Sequence, residues 1–281
     1  MKPPLGYDKA TSDEVCHLKR SLYGLKQASR DLQGEFIVLL VYVDDMLLTS
    51  TSQTQIDEIK VALDQAFTSK DLGELKYFFG IEIIKNTSGI MLSQKKYILD
   101  MIKDLNLDHS RPVSTPLPKG LGLSTELGDV LEEPEQYRKL VGRLLYLNIT
   151  RLDLSYATQH LSQFLSCPRK PHLQAAMYVV RYLKSTLHLG LFYSATSDDV
   201  VKSYSDADWR TCLFTSRSLS AYCIFVGNHL VSWKTKKQKT VSKSFAEAEY
   251  GSMSSTASKV VWLEGLLQDL KVHVSLPIYL Y

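Results

Sequence analysis

The sequence predicts an α/β protein whose strand-rich ends are separated by a helical middle. Near the start, residues 36–50 consist of two β-branched, apolar arms around an acidic pair, a pattern typical of a hairpin. In the last third, three short strand-like runs precede a long amphipathic pattern over 244–270. Between these regions, apolar residues recur at helical spacing over 137–164 and 172–187. Together these observations predict sheets toward both ends and helices between them.

Composition and charge are those of a folded globular protein. The 281 residues are 44% hydrophobic and 22% charged, which excludes a largely disordered or fibrous protein and favours about two domains. Lys and Arg number 33 against 30 Asp and Glu, so any basic nucleic-acid-binding surface has to be local. The four cysteines form no CxxC pair, and the N-terminus has no apolar signal-peptide stretch. We therefore expect an intracellular protein, cytoplasmic or nuclear, without a membrane segment and with no signal of its oligomeric state.

The elements of the first half follow in order. Residues 36–50 predict a hairpin buried on at least one side, and apolar residues at helical spacing follow over 56–67. A second hairpin is predicted over 75–94 with its turn at 86–89, and a helix over 97–105.

The second half is more varied. Residues 108–136 are rich in Pro, Gly, Ser and Glu and are predicted to be a linker before the helices. The strand-like runs are 200–209, 220–226, 230–233 and a final run at 278–281. The apolar stripe predicted for the long helix consists of Tyr250, Met253, Ala257, Val261 and Leu267. The three tryptophans are predicted to be core residues: Trp209, Trp233 and Trp262.

Asp44 and Asp45 lie at the centre of the first hairpin, directly after Tyr42 and Val43. Two adjacent carboxylates between apolar arms are costly unless they face water, a cation or hydrogen-bond donors. A tight turn presents both carboxylates at the end of the hairpin. Carboxylate oxygens are suitable ligands for Mg²⁺. Two such ions can align an attacking hydroxyl with a leaving pyrophosphate. The alternative is a solvated turn, in which Asp is common.

A second acidic set joins a strand to the long helix. With a period of two, Tyr204, Asp206 and Asp208 share one face of their strand, and Glu247 and Glu249 lie at the start of the helix. Acids so placed could meet around a pair of metal ions. The alternatives are a charge at a strand edge and stabilisation of the helix dipole by the glutamates.

The most basic window of the chain lies between the third strand and the helix. Its lysines are Lys234, Lys236, Lys237, Lys239 and Lys243, and they could contact a phosphate backbone. The alternative is a solvated, charge-rich loop. The seven histidines are scattered and lack metal-ligand spacing.

Ten segments in series carry a resemblance to a known family. They are LKRSLYGLKQASR (18–30), LVYVDDMLL (40–48), DLGELKYFFGIEI (71–83), GIMLSQKKYILDMI (89–102), YRKLVGRLLYLNITRLDLSYA (137–157), LSQFLSCP (161–168), HLQAAMYVVRYLK (172–184), YSDADW (204–209), SWKTKKQKTVSKSFAEAEY (232–250) and VVWLEGLL (260–267). In sequence and order they resemble the reverse transcriptase and RNase H regions of copia-type LTR-retrotransposon Pol polyproteins. The resemblance implies Mg²⁺-dependent RNA-directed DNA synthesis and hydrolysis of RNA–DNA hybrids, with RNA, DNA or their hybrid as partners.

The resemblance also implies residue roles in the polymerase region. Asp44 and Asp45 match the motif that binds the catalytic metal ions, and Tyr42 would line the primer end. Gln27 and Arg30 would contact template and incoming nucleotide.

In the nuclease region, Asp206 and Glu249 match the first two catalytic, metal-binding acids. An offset of two residues, to Asp208 or Glu247, stays open. The implied nucleic-acid contacts nearby are the lysines at 234, 236, 237 and 239. The implied architecture is a truncated palm and thumb remnant over 1–107, a linker and helical connection over 108–190, and an incomplete RNase H-like domain over 191–281.

Departures from the family pattern predict a defective copy. Only residues 31–41 separate Arg30 from Tyr42, where the family places several tens of residues, and Leu152 stands where the family has proline. An upstream strand with another catalytic aspartate and a third nuclease acid after Tyr281 are also expected and not found. We therefore expect a catalytically defective reverse transcriptase–RNase H fragment. The alternative is a non-catalytic nucleic-acid-binding or interaction remnant.

Overall fold

The computed structural model describes residues 30–32, 35–42, 45–67, 69–212 and 215–281. The chain divides into two compact units, Met1–Asp71 and Leu72–Tyr281. The described residues form three sheets and a set of helices, which confirms the predicted α/β class. The predicted boundary between 107 and 108 falls inside the second unit.

In its described residues, the first unit contains a three-stranded antiparallel sheet and one helix. Its elements are β1 (Arg30–Leu32), β2 (Glu35–Tyr42), β3 (Asp45–Ser50) and α1 (Gln53–Phe67). The predicted hairpin is confirmed, with β2 and β3 paired from Ile37 opposite Ser50 to Tyr42 opposite Asp45.

The expectation that this hairpin is buried on at least one side holds only near its base. Ile37 near its base is buried, but the successive residues Leu40, Val41 and Tyr42 at its far end are 45–49% exposed. Because successive residues of a strand point to opposite faces, neither face is covered there. The helix α1 contributes no buried residue that could cover it.

The second unit begins with a four-stranded sheet that joins distant parts of the chain. Its strands are β4 (Tyr77–Phe78), β5 (Ile81–Asn86), β6 (Gly89–Ser93) and β7 (Leu191–Ser194), in that order. The predicted second hairpin is confirmed, and at its turn Asn86 Oδ1 accepts hydrogen bonds from the backbone N–H groups of Ser88 and Gly89, both at 2.9 Å. The short strand β7 was not predicted. It fits against β6 because a side chain at Gly89 would lie 2.1 Å from the carbonyl oxygen of Tyr193.

A helical core lies between β6 and β7 in the sequence. Its helices are α2 (Lys95–Asp104), α3 (Pro134–Leu147), α4 (Ser155–Leu161) and α5 (Lys170–Ser185). The single pattern predicted over 137–164 is therefore broken at 148–154. The segment predicted as a linker is irregular but packed, since Leu123 is only 4% exposed within the core and the ring of His172 is hydrogen-bonded to the Ser124 carbonyl.

The break between α3 and α4 contains a buried ion pair. Arg151, which is 1% exposed, donates from Nε and Nη2 to the two carboxylate oxygens of Asp153, at 2.9 and 2.7 Å. The same guanidinium donates to the carbonyl and hydroxyl oxygens of Thr186 just after α5, and the Tyr182 hydroxyl donates to Asp153 at 2.8 Å. Burial alone would raise the pKa of the Asp153 carboxyl, but the hydrogen bonds and charge of Arg151, with the Tyr182 hydroxyl, hold it below its ordinary value.

The third sheet occupies the C-terminal part of the second unit. Its elements are β8 (Val201–Asp208), β9 (Leu219–Val226), β10 (His229–Lys237), the helix α6 (Phe245–Asp269) and β11 (Tyr279–Leu280). The order is β10-β9-β8-β11, with β11 parallel to β8 and the other pairs antiparallel. The three predicted strands are confirmed, although β10 extends to Lys237.

The apolar stripe predicted for α6 is wrong. Tyr250 is 70% and Val261 67% exposed, whereas the helix buries Ala248, Ser252, Thr256 and Leu263. Small side chains bring α6 close to the sheet, where the Ser252 hydroxyl donates to the Asp206 carbonyl at 2.8 Å. Hydrophobic periodicity does not reveal a contact face made of small and hydroxyl-bearing residues.

Replacing Asp153 by Asn should lower the free energy of unfolding by about 3 kcal/mol at pH 7, because it leaves the buried Arg151 guanidinium without its counter-charge. This value is at the lower end of the range for buried pairs, since 31% of the Asp153 side chain is exposed. Urea denaturation followed by circular dichroism measures it, with Asp129→Asn, in an exposed pair with Lys170, as the control that should change little.

The same pair should also make stability fall in acid. Because the pKa of Asp153 is lowered in the folded state, its contribution is present above its unfolded pKa of about 3.9 and is lost as the pH falls further. The difference between the wild type and Asp153→Asn should therefore narrow from pH 7 to pH 3. A difference that stays constant would show that the carboxylate charge does not stabilise the fold.

Candidate functional site

The acidic hairpin of the first unit is described only in part. Tyr42 and Asp45 face each other as the last pair of β2 and β3, and both are exposed. Arg30 is the first residue of β1, while Asp44 and Gln27 lie outside the described residues. The pairing of β2 with β3 confirms the predicted hairpin, and the metal-binding role of Asp44 and Asp45 stays a prediction.

The acids of β8 lie on the exposed face of the third sheet. Tyr204, Asp206 and Asp208 are exposed and alternate with buried residues, so the predicted shared face is confirmed. The helix α6 packs against the other face, around Val201. Within the described ranges, no hydrogen bond or ion pair joins Asp206 to Glu249, which is half-buried on α6. Whether the two share a cation stays a prediction.

Glu247 has a structural role at the start of α6. The Ser244 hydroxyl accepts a hydrogen bond from the Glu247 N–H at 3.1 Å, and the Glu247 carboxylate accepts one from the Lys243 N–H at 2.7 Å. The first of these bonds satisfies an N–H group that a helix start leaves without a partner, and the second ties the residue before the cap to the first turn. Of the two glutamates that the sequence left open, Glu247 is therefore the one used to begin the helix.

The donors around Asp206 and Glu249 provide a poor fit to Mg²⁺. Across the parts of the chain that the structure describes, no three His, Cys, Asp or Glu side chains form a group that could hold a metal ion. Two carboxylates alone bind Mg²⁺ weakly, because the ion gives up its waters reluctantly and needs near-octahedral oxygen ligands.

The basic window is divided between the two faces of β10. Lys234 and Lys236 are exposed on the face that α6 covers, beside Tyr222 and Ser220 of β9. Lys237 points the other way, and its Nζ lies 3.4 Å from the Cys212 sulfur. The window was expected to lie between the third strand and the helix, but β10 extends through Lys237, and alternation along a strand separates neighbouring side chains. The phosphate contact of these lysines stays a prediction.

Lys234 and Lys236 line an open cleft between α6 and the β9–β10 edge of the sheet, which we call the basic cleft. Its volume is about 320 Å³, and it is lined by Ser220, Tyr222, Lys234, Lys236, Ser255, Ser258, Lys259 and Trp262. Trp262 is 40% exposed, so its assignment to the core was wrong. The sequence analysis did not predict the wall of the basic cleft that α6 contributes, although residues 255, 258, 259 and 262 have the spacing of one helix face.

Gln238 was also missed and holds the cleft together at one end. Its Nε2 donates to the Ser220 hydroxyl and to the Ala248 carbonyl of α6, both at 2.8 Å. Its Oε1 accepts from the Ser242 hydroxyl at 2.8 Å. This one amide therefore fixes the end of β10 against the start of α6, which positions both walls of the basic cleft.

Comparisons with known proteins agree on one family. The profile of the family described as "Reverse transcriptase (RNA-dependent DNA polymerase)" matches residues 30–119. The chain is 38% identical to the retrovirus-related Pol polyprotein from transposon RE1 of Arabidopsis thaliana, over all of this chain and 21% of the relative. It is 33% identical to the corresponding protein from transposon TNT 1-94 of Nicotiana tabacum, over 97% of this chain and 23% of the relative.

A shorter relative matches along most of its own length. An uncharacterized mitochondrial protein of Arabidopsis thaliana is 38% identical over 80% of this chain and 93% of the relative. The chain thus spans about a fifth of the Pol polyproteins that it matches. No solved structure matches it. In the described part of the chain, every helix is too short or too polar to cross a membrane.

Removing the cap of α6 should destabilise the second unit. We expect Ser244→Ala to lower the free energy of unfolding by about 1 kcal/mol, and Glu247→Ala to act in the same direction, because both free an N–H group at the helix start. Glu247→Gln should retain most of the stability, since an amide oxygen also accepts the bond. Urea denaturation measures this, and a loss for Glu249→Ala as large as that for Glu247→Ala would contradict the assignment.

Proposed function

Because the chain belongs to the copia-type retrotransposon Pol polyprotein family, we propose that it contains a reverse transcriptase region and an RNase H-like region that are both catalytically defective. The observation that carries the proposal is the connection to the acidic hairpin. Only residues 31–41 lie between Arg30 and Tyr42, and their described part belongs to the two paired strands β1 and β2.

This connection leaves no room for the helix and strands that the family places there. The alignment with the RE1 polyprotein supports a deletion, since it runs over 307 positions, 26 more than the length of this chain. Two-metal phosphoryl transfer depends on exact positioning of its ligands and substrate, and about 1.4 kcal/mol in the barrier is a tenfold change in rate. Asp44 and Asp45 would then be retained acids without the surrounding palm.

The RNase H-like assignment of residues 191–281 is supported by the third sheet. The resemblance implies a mixed sheet with a long helix on one face. In the structure, α6 follows β10 and leads to β11, which runs parallel to β8. In this proposal Asp206 and Glu249 are the family acids, since the carboxylate of Glu247 is used at the helix start. Among the described residues no third acid joins these two in a group that could hold a metal ion, and two carboxylates alone bind Mg²⁺ weakly.

A second candidate function is non-catalytic binding of nucleic acid. The basic cleft favours it, because Lys234 and Lys236 project on the same face into a concave surface with a third lysine. Cationic side chains that track a backbone supply most of the affinity of sequence-independent binding. This function would survive the loss of both catalytic centres.

The purified chain should not extend a primer on an RNA template in Mg²⁺ or Mn²⁺, because the acidic hairpin lacks its surrounding palm. The measurement is gel-based primer extension with a known reverse transcriptase as positive control. Extension by the wild type that disappears in Asp44→Asn would contradict the proposal, whereas extension that persists in that variant would come from a contaminating polymerase.

The chain should likewise not cleave the RNA strand of an RNA–DNA hybrid. Two carboxylates hold Mg²⁺ too weakly to bring two ions to one phosphodiester. A labelled hybrid incubated at millimolar Mg²⁺ tests this. Cleavage that is lost in Asp206→Asn and kept in Asp208→Asn would show a working nuclease centre and would identify its first acid.

A further inference from the structure

We propose that the basic cleft binds single-stranded nucleic acid through its phosphates, at a site separate from the Asp206 acid. The inference rests on the proposal that the chain binds nucleic acid, and it assigns that binding to particular residues. The sheet and the helix each contribute one wall, and neither wall alone is concave.

The sheet wall places two ammonium groups in a row. Lys234 and Lys236 lie on one face of β10, so their Cα atoms are about 6.6 Å apart along the strand. Neither forms an ion pair with a carboxylate within the described residues. The neighbouring Ser220 hydroxyl accepts its hydrogen bond from Gln238 Nε2, which leaves the Ser220 proton available to an anionic ligand.

The helix wall faces this row with a polar stripe. Ser255, Ser258, Lys259 and Trp262 recur at helical spacing on one side of α6. The Ser258 hydroxyl donates to the Ser254 carbonyl, so Ser255 supplies the hydroxyl proton on this wall. The Lys259 ammonium lies 3.2 Å from the centre of the Trp262 ring, which fixes both side chains at the cleft.

Charge and size together favour a single strand. The neighbouring ammonium groups of Lys234 and Lys236 repel each other, and an anion that enters between them relieves this repulsion. The cleft volume of about 320 Å³ is that of a small-ligand site and suits a strand threaded between two walls rather than the convex surface of a duplex. Tyr222 and Trp262 add aromatic surface beside the cations, a combination typical of single-strand binding.

The experiment is fluorescence anisotropy of the full chain with a labelled single-stranded oligonucleotide over a series of salt concentrations. We expect Lys236→Gln and Lys259→Gln each to weaken binding and to flatten the slope of log affinity against log salt by about 0.7. Lys259→Arg should restore binding because it keeps the charge.

Lys202→Gln, on the uncovered face of the same sheet, is the matched control and should leave the slope unchanged. Circular dichroism verifies that each variant is folded, and Lys236→Gln, at an exposed position, provides the test if Lys259→Gln unfolds.

Four other results would contradict the inference, and each identifies which part of it is wrong. If the oligonucleotide binds equally well to the wild type, Lys236→Gln and Lys259→Gln, the chain binds nucleic acid elsewhere and only this assignment fails. If Lys237→Gln weakens binding as much as Lys236→Gln, the whole basic window acts and the cleft does not. If a mononucleotide competes as well as the strand, or a duplex binds more tightly, the proposed ligand is wrong. If the wild type does not bind, the nucleic-acid-binding proposal fails with it.

Discussion

The helical core of the second unit depends on one buried guanidinium. Arg151 lies where α3 ends and the chain turns toward α4, and its donors reach Asp153 in the same turn and Thr186 after α5. A buried charge is tolerated only when counter-charge and acceptors surround it, and this site provides both. The interaction therefore ties the turn before α4 to the residue that follows α5. The leucine that replaces the family proline at position 152 does not disturb this network, because the hydrogen bonds are made by the residues on either side of it.

Local pattern predicted the elements of the fold better than their packing. Both hairpins, the helices α1, α2 and α5, and the strands β8 and β9 follow from alternation or helical spacing, and the structure confirms them. The apolar stripe of α6 failed because its contact face consists of small and hydroxyl residues, as Ser252 illustrates. The prediction of one unbroken helical pattern over 137–164 failed because the break is stabilised by Arg151, whose partner Thr186 lies 35 residues later in the chain.

For the candidate sites too, local pattern predicted single elements better than the way these elements pack together. Alternation correctly placed Asp206 and Asp208 on one face, but it does not say which face of a strand a later helix will cover. A capping pattern could have separated Glu247 from Glu249, since a serine three residues before a glutamate is a known helix-start signal. The basic cleft could not be predicted from the sequence, because its walls come from β9, β10 and α6. Only the tertiary fold brings Lys236 and Trp262 together.

The pairing of β7 with β6 has a consequence for how the second unit folds. All four helices of the core lie between these strands in the sequence, so the pairing of β7 with β6 closes a loop of residues 94–190. Contacts of such long sequence separation form late and slowly, whereas helices form from local contacts. Until then, β6 is an edge strand with open hydrogen-bonding groups, a state in which newly made chains associate with one another. The absence of a side chain at Gly89, which lets β7 approach, is therefore also what allows the open edge of β6 to be covered.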